Sequence, residues 1–394
     1  MQHEINGSEA KALRDSIEAR RGALLALMRA LVETESPSGD VAGSRAVVSL
    51  LAEDAKTIDG VTSVERIESP GYGEHLRIRA FDRASDRAGV SDGSILLVGH
   101  TDTVHPLGSL AERPWREEGG RIYGPGIFDM KANCTLVLEA LRACVANNLL
   151  PRRNVVLVLT CDEETGSETG RALIEEEARG ACAALVLEPP ASGGRVKTAR
   201  KGTGIFNMEV RGRAAHAGLE PEKGASAILE LARQIERLQV LNNPERGTTV
   251  NVGVIGGGTR SNVVAAFAHA EIDIRFSTQE DAEHLDASIR QARPFDGRVQ
   301  ISVSGGINRP PLERNDGVVA LYQRARSICA LLDFELGEAS VGGASDGNFI
   351  AAMNVPVLDG LGISGDGAHA THEHILTDDI ATRGALVAAL IATL

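Results

Sequence analysis

Three short apolar runs constrain this chain more than any other feature, because each stops at a histidine or a carboxylate. Ile95-Leu-Leu-Val-Gly99 runs into His100-Thr-Asp-Thr-Val104. Val155-Val-Leu-Val-Leu159 runs into Thr160-Cys-Asp-Glu-Glu-Thr-Gly166, and Ala184-Leu-Val-Leu187 into Glu188-Pro-Pro190. Runs this short and this apolar read as strands buried on both faces. Between the first two, Cys134, Val137, Leu138, Leu141 and Val145 recur at the spacing of one helix face. Strands alternating with helices predict an α/β fold whose central sheet is mostly parallel.

The rhythm changes near Lys201. Phe206, Met208 and Val210 alternate with polar residues, and a helix follows with Ile228, Leu231, Ile235 and Leu238 on one face. Strands are expected at Thr249–Ile255 and Ala268–Phe276, a helix at Glu280–Ala292, and a last strand through Val299, Ile301 and Val303. This βαββαβ order suits a small antiparallel sheet with both helices on one face. At 394 residues the chain exceeds the ~250–300 residues at which one core usually stops growing. Two domains are expected: one from residues 1–200 and 309–394, and an inserted one at 201–308.

Ligands in open α/β sheets gather beyond the carboxyl ends of the strands. His100 falls there, with Asp102 placed to hydrogen-bond its imidazole. Gly124-Pro-Gly-Ile-Phe-Asp-Met-Lys131 delivers Asp129 to the start of a helix, where an ordinary N-cap is the bland reading. Glu163 and Glu164 follow the second strand, Glu188 the third, and Gly367-Ala-His-Ala-Thr-His-Glu-His374 adds three late histidines. Each cluster is weak alone. One metal site explains them together better than five unrelated accidents, and the oxygen-plus-imidazole set suits Zn²⁺, Co²⁺ or Mn²⁺. The set exceeds what one tetrahedral ion needs, which points to two ions sharing a carboxylate.

A net charge of -13 argues against nucleic acid or an anionic membrane as partner. The five cysteines, scattered and without CxxC spacing, read as reduced thiols. With a polar N-terminal stretch and no run of ~18 apolar residues, the expected location is the cytoplasm.

The ordered set His-x-Asp, Gly-x-x-Asp-x-Lys, Glu-Glu, Glu-Pro and late His resembles the zinc aminoacylase, carboxypeptidase and deacylase family. The glutamate carboxypeptidase branch is the nearest in Arg200-Lys-Gly-Thr-Gly and Gly342-Gly-Ala-Ser-Asp-Gly347. The resemblance implies a catalytic α/β domain interrupted by a ferredoxin-like dimerisation domain, and two Zn²⁺ per subunit. It assigns His100, Asp129 and Glu188 to one metal and Asp129, Glu164 and His369 to the other, with Asp129 as the bridge. Glu163 resembles the general base, and Asp102 the residue that orients His100. His369 is chosen among the late histidines because Glu373 completes a His-x-x-x-Glu pattern, which leaves His372 and His374 on the surface. His216, in Arg213-Ala-Ala-His-Ala-Gly, resembles a residue that reaches the active site of the other protomer of a homodimer. Asn262, Arg275 and the turn containing Gly343 resemble groups that bind a substrate carboxylate. One departure from the family is Ala132-Asn133, where many members have Gly-Gly after Asp-Met-Lys.

The implied activity is hydrolysis of an amide bond beside a free carboxylate, releasing a C-terminal amino acid from a small peptide. An N-acyl-amino acid deacylase is the alternative, and a non-catalytic carboxylate-binding dimer a minor one.

Overall fold

The computed structural model describes residues 4–82 and 93–394. The chain divides into two compact units, Met1–Ala199 with Arg314–Val341 and Ser345–Leu394, and Arg200–Glu313 with Gly342–Ala344.

Among the described residues, the central sheet of the larger unit has six strands. In spatial order they are Val61–Ser69, Gly73–Ala80, Val155–Thr160, Ser94–His100, Ala181–Val186 and Val357–Leu358. The last four run parallel, and the first two form an antiparallel hairpin joined antiparallel to Val155–Thr160. This is a mixed α/β fold with a mostly parallel central sheet. The three apolar runs sit side by side at its centre, because residues buried on both faces belong where helices cover both faces. Register pairs His100 with Thr160 and Val98 with Val186, so all three runs end at the same edge.

Helices Gly7–Ala19, Ala132–Ala146 and Ile380–Thr393 pack against one another. Asn6 caps the first through the N–H groups of Ser8 and Glu9, while Glu9 reaches back to the Asn6 N–H. The last helix is buried along its length and mostly apolar, its one charge being Arg383, whose buried guanidinium pairs with Asp379 at 3.0 Å. It approaches the first closely: a Cβ on Gly384 would lie 2.6 Å from Ile17 Cδ1. No described helix is long and apolar enough to cross a membrane. Cys134, Cys144, Cys161 and Cys329 are buried and unpaired, and burial pushes their thiols up to about 12.

The smaller unit has a four-stranded antiparallel sheet in the order Thr249–Gly257, Phe267–Phe276, Gly202–Arg211, Gln300–Arg309. Helices Ala227–Gln239 and Gln279–Arg290 complete the βαββαβ order. Phe206, Met208, Val210, Ile272, Ile274 and Phe276 are fully buried beneath the helices, as the alternation requires. One expectation fails on the first helix. Ile228 is exposed, and its buried stripe is Ala227, Glu230, Leu231, Gln234 and Leu238, because the Glu230 carboxylate turns inward to accept the N–H groups of Phe295 and Asp296.

Candidate metal centre

His100 ends its strand at 1% exposure. Its Nε2 faces Asp129 Oδ1 at 3.2 Å and Glu188 Oε1 at 3.5 Å. Its Nδ1 lies 3.0 Å from the Asp102 backbone oxygen and 3.4 Å from Asp102 Oδ1. A proton held at Nδ1 by Asp102 leaves the Nε2 lone pair aimed at the carboxylates, which is the tautomer a metal ligand needs.

Asp129 comes from the irregular turn Ile127–Lys131, which opens the helix Ala132–Ala146. Gly126 precedes the turn at φ +70°, and a Cβ there would sit 2.4 Å from Thr103 Cγ2, so only glycine fits. The Asp129 N–H donates to Glu373 Oε1 at 2.9 Å, and its two side-chain oxygens face different histidines. Oδ1 meets His100, and Oδ2 lies 3.4 Å from His369 Nε2.

Glu163 and Glu164 lie in the single turn Glu163–Thr165 beyond Val155–Thr160. Asp102 holds that turn, its Oδ1 accepting the Glu163 N–H and its Oδ2 the Glu164 N–H, each at 3.2 Å. Ser38 Oγ donates to the same carboxylate at 2.6 Å. Behind the turn, buried Asp162 accepts the Thr169 N–H and hydroxyl, and buried Asp346 accepts the hydroxyls of Thr160 and Ser167. Glu164 Oε2 reaches His369 Nε2 at 3.1 Å. His369 itself stands at φ +63°, a left-handed conformation that costs a non-glycine residue roughly 1–2 kcal/mol.

Two sets of donor atoms result. Those of His100, Asp129 and Glu164 lie within 4.8 Å of one another, as do those of His100, Glu163 and Glu188. His369 closes the far side of the first set.

Comparison with known proteins identifies the family. The peptidase family M20/M25/M40 matches residues 96–393. The chain belongs to that family. It is 29% identical over 355 residues to carboxypeptidase G2 of Pseudomonas sp. (strain RS-16), covering 88% of this chain and 83% of that one. It is 27% identical over 333 residues to a succinyl-diaminopimelate desuccinylase of Delftia acidovorans, covering 80% and 85%. The crystal structure of aminopeptidase PepT from Bacillus cereus superposes with a TM-score of 0.76 at 26% identity, over 94% of this chain and 97% of that one. As an M20 family member, the chain is a metal-dependent hydrolase.

The electrostatics of this M20 site fit a cation. Asp102, Asp129, Glu163, Glu164 and Glu188 crowd two imidazoles, and Glu164 Oε1 is buried with no hydrogen-bond partner among the described residues. Asp129 and Glu164 raise the His369 pKa to about 10. Burial would lower the His100 pKa, but hydrogen bonds to Asp102, Asp129 and Glu188 overcome it and raise it well above the usual range. Burial dominates at Glu164 and raises its carboxyl. Sites that hold so many carboxylates together are built for positive charge, and the donors are hard oxygens and imidazole nitrogens, as divalent ions of the zinc type prefer.

Asn133 is fully buried. Its side chain bonds Phe128 O at 3.5 Å and the Ile363 N–H at 2.9 Å, over Gly362, where a Cβ would collide with it. Asn133 thus braces the turn that carries Asp129.

His372 is exposed, as expected, but His374 is not. It sits in the strand His374–Leu376 at 8% exposure, its ring 5.2 Å from that of Tyr123 on the paired strand. A strand of three residues is too short to betray itself by alternation. Reading the sequence also missed Ser38, His105, Asp162 and Asp346. Asp162 had a signal, since it adjoins Glu163 after a buried strand, and Asp346 lies in the Gly342-Gly-Ala-Ser-Asp-Gly347 motif; Ser38 and His105 had none.

His216, Asn262, Arg275 and Gly343 all belong to the smaller unit. His216 is exposed, and its Nδ1 accepts the N–H groups of Gly218 and Leu219 at 3.1 and 3.2 Å. A neutral imidazole held this way carries its proton on Nε2, facing outward as a donor. Arg275 forms a two-pronged pair with Asp273, both bonds 2.9 Å. Asn262 is exposed and its backbone oxygen accepts the Ala217 N–H, while Gly343 O accepts from Arg200 Nη1 at 3.1 Å.

Proposed function

We propose that this chain is a two-zinc hydrolase that cleaves an amide bond next to a free carboxylate, releasing a C-terminal amino acid as a glutamate carboxypeptidase would. The observation that carries the reading is the convergence of His100, Asp129, Glu164, Glu188 and His369 around the two oxygens of Asp129. His100, Asp129 and Glu188 would hold one cation, and Asp129, Glu164 and His369 the other. When bound, such a pair supplies Lewis acidity to the scissile carbonyl and lowers the pKa of a water.

Glu163 lies on the His100–Glu188 side of the cluster, where its carboxylate serves as general base. It takes a proton from the attacking water and passes it to the leaving nitrogen. Asp102 fixes both the imidazole of His100 and the backbone of Glu163. In a homodimer, His216 of the partner subunit donates its Nε2 proton to the developing oxyanion. Arg275, Asn262 and the Gly343 turn hold the substrate carboxylate, with Arg275 contributing charge-assisted hydrogen bonds. The reduced thiols suit a cytoplasmic enzyme.

The desuccinylase relatives favour a second reading, an N-acyl-amino acid deacylase, in which the same groups act on the same kind of bond. A panel of N-blocked dipeptides and of acetyl- and succinyl-amino acids, assayed on zinc-loaded protein, separates them. Turnover of dipeptides with a C-terminal acidic residue supports the carboxypeptidase reading. Exclusive turnover of acyl-amino acids replaces it with the second, and no turnover of either, with or without chelator, removes both.

A further inference from the structure

Glu373 is buried at 3% exposure, and its two oxygens accept four hydrogen bonds. Oε1 takes the backbone N–H groups of Phe128 and Asp129, each at 2.9 Å. Oε2 takes the Gly126 N–H at 2.8 Å and His105 Nε2 at 2.5 Å. His105 Nδ1 lies 3.4 Å from Arg113 Nη1, a donor, which leaves the His105 proton on Nε2, pointing at Glu373. His105 lies on the loop that starts at His100, the three N–H groups belong to the turn that carries Asp129, and Glu373 follows His369 by four residues. One carboxylate therefore joins the three segments that bear His100, Asp129 and His369.

The turn at Asp129 needs such an acceptor. Its backbone is not helical there, so the N–H groups of residues 126, 128 and 129 have no partner in a helical ladder, and buried N–H groups left unpaired are costly. A carboxylate shared by two cations must also aim one oxygen at each, and that direction is set by the backbone beneath it.

We infer that Glu373 is a positioning residue that aims Asp129 at both cation sites, with His105 locking Glu373 in place. The inference rests on the two-metal reading above. Glutamine at 373 would fill the same space and keep one acceptor oxygen, but its NH₂ would face the Gly126 N–H and His105 Nε2–H, donor against donor. The substitution thus separates aiming from mere packing.

The test is zinc titration of the chelator-treated full chain by calorimetry, with thermal unfolding recorded alongside. Glu373→Gln is expected to bind zinc about 10–100-fold more weakly, the usual effect of losing an outer partner of a ligand. Zinc affinity and stoichiometry equal to wild type would overturn the inference, whatever happens to the melting temperature. If Glu373→Gln does not fold, His105 carries the test. His105→Gln preserves a donor to Glu373 and should bind zinc like wild type, whereas His105→Leu should bind it several-fold more weakly; equal affinities would overturn the inference. Asp129→Ala keeps the two levels apart. If it too retains both zinc ions, the two-metal reading fails; if it loses zinc while Glu373→Gln does not, only the role of Glu373 fails.

Discussion

Asp102 Oδ1 accepts the backbone N–H of Glu163 at 3.2 Å. The same carboxylate lies against His100 Nδ1 and accepts the Glu164 N–H, so one buried side chain serves the imidazole and both glutamates. Asp102→Asn would put an amide donor against these donors. It should weaken zinc binding about 10–100-fold and cut kcat as well. Competition with a chromogenic chelator measures the first effect and steady-state kinetics the second. A variant with full zinc affinity would separate Asp102 from the site.

Glu163→Gln removes the proposed proton acceptor but none of the five ligands. Zinc content by mass spectrometry should stay at the wild-type value while kcat falls by about 10²–10⁴. Loss of zinc instead of turnover would move Glu163, whose oxygens lie close to those of His100 and Glu188, from base to ligand.

His369 gives the chelated protein a definite pH response. Its folded pKa is about 10, above its ordinary 6.5, because Asp129 and Glu164 favour the charged ring. A group raised on folding contributes stability that is complete below 6.5 and is lost as pH rises through 10. Thermal melts of chelated protein should therefore drop between pH 7 and 10, and His369→Gln should flatten that drop. Zinc binding at pH 8 should release protons, read from calorimetry in buffers of different ionisation heat. A melting temperature independent of pH in that window would contradict the assignment.

Arg275→Ala should raise KM about 10–100-fold with kcat changed little, since a charge-assisted hydrogen bond is worth about 1.5–3 kcal/mol. An unchanged KM would leave Arg275 as the partner of Asp273 and nothing more.

The fold was legible where burial leaves a pattern. Ile95–Gly99, Val155–Leu159 and Ala184–Leu187 are apolar throughout because both faces are covered, and their ends placed His100, Glu163 and Glu188 at one sheet edge. The alternation through Phe206–Val210 and Ala268–Phe276 likewise gave the second unit's sheet. The bridging place of Asp129 and the choice of His369 among three late histidines came only through the family resemblance, since both stand on irregular backbone with no period to read. Ile228 misled because apolar spacing says nothing of an inward glutamate such as Glu230. Glu373 showed only as the end of a His-x-x-x-Glu pattern, with no sign of what it holds, and His105 and Ser38 left no trace, because each works through a hydrogen bond to a residue distant in sequence.

Two-metal hydrolysis by this chain requires Asp129 to lie between two cations. Crystals grown with zinc, measured at the zinc absorption edge, test this most directly. Two anomalous peaks are expected, one about 2.0–2.2 Å from His100 Nε2 and Glu188, the other at that distance from Glu164 and His369, with one Asp129 oxygen bonded to each. A single peak, or two peaks with Asp129 turned away from both, would contradict it.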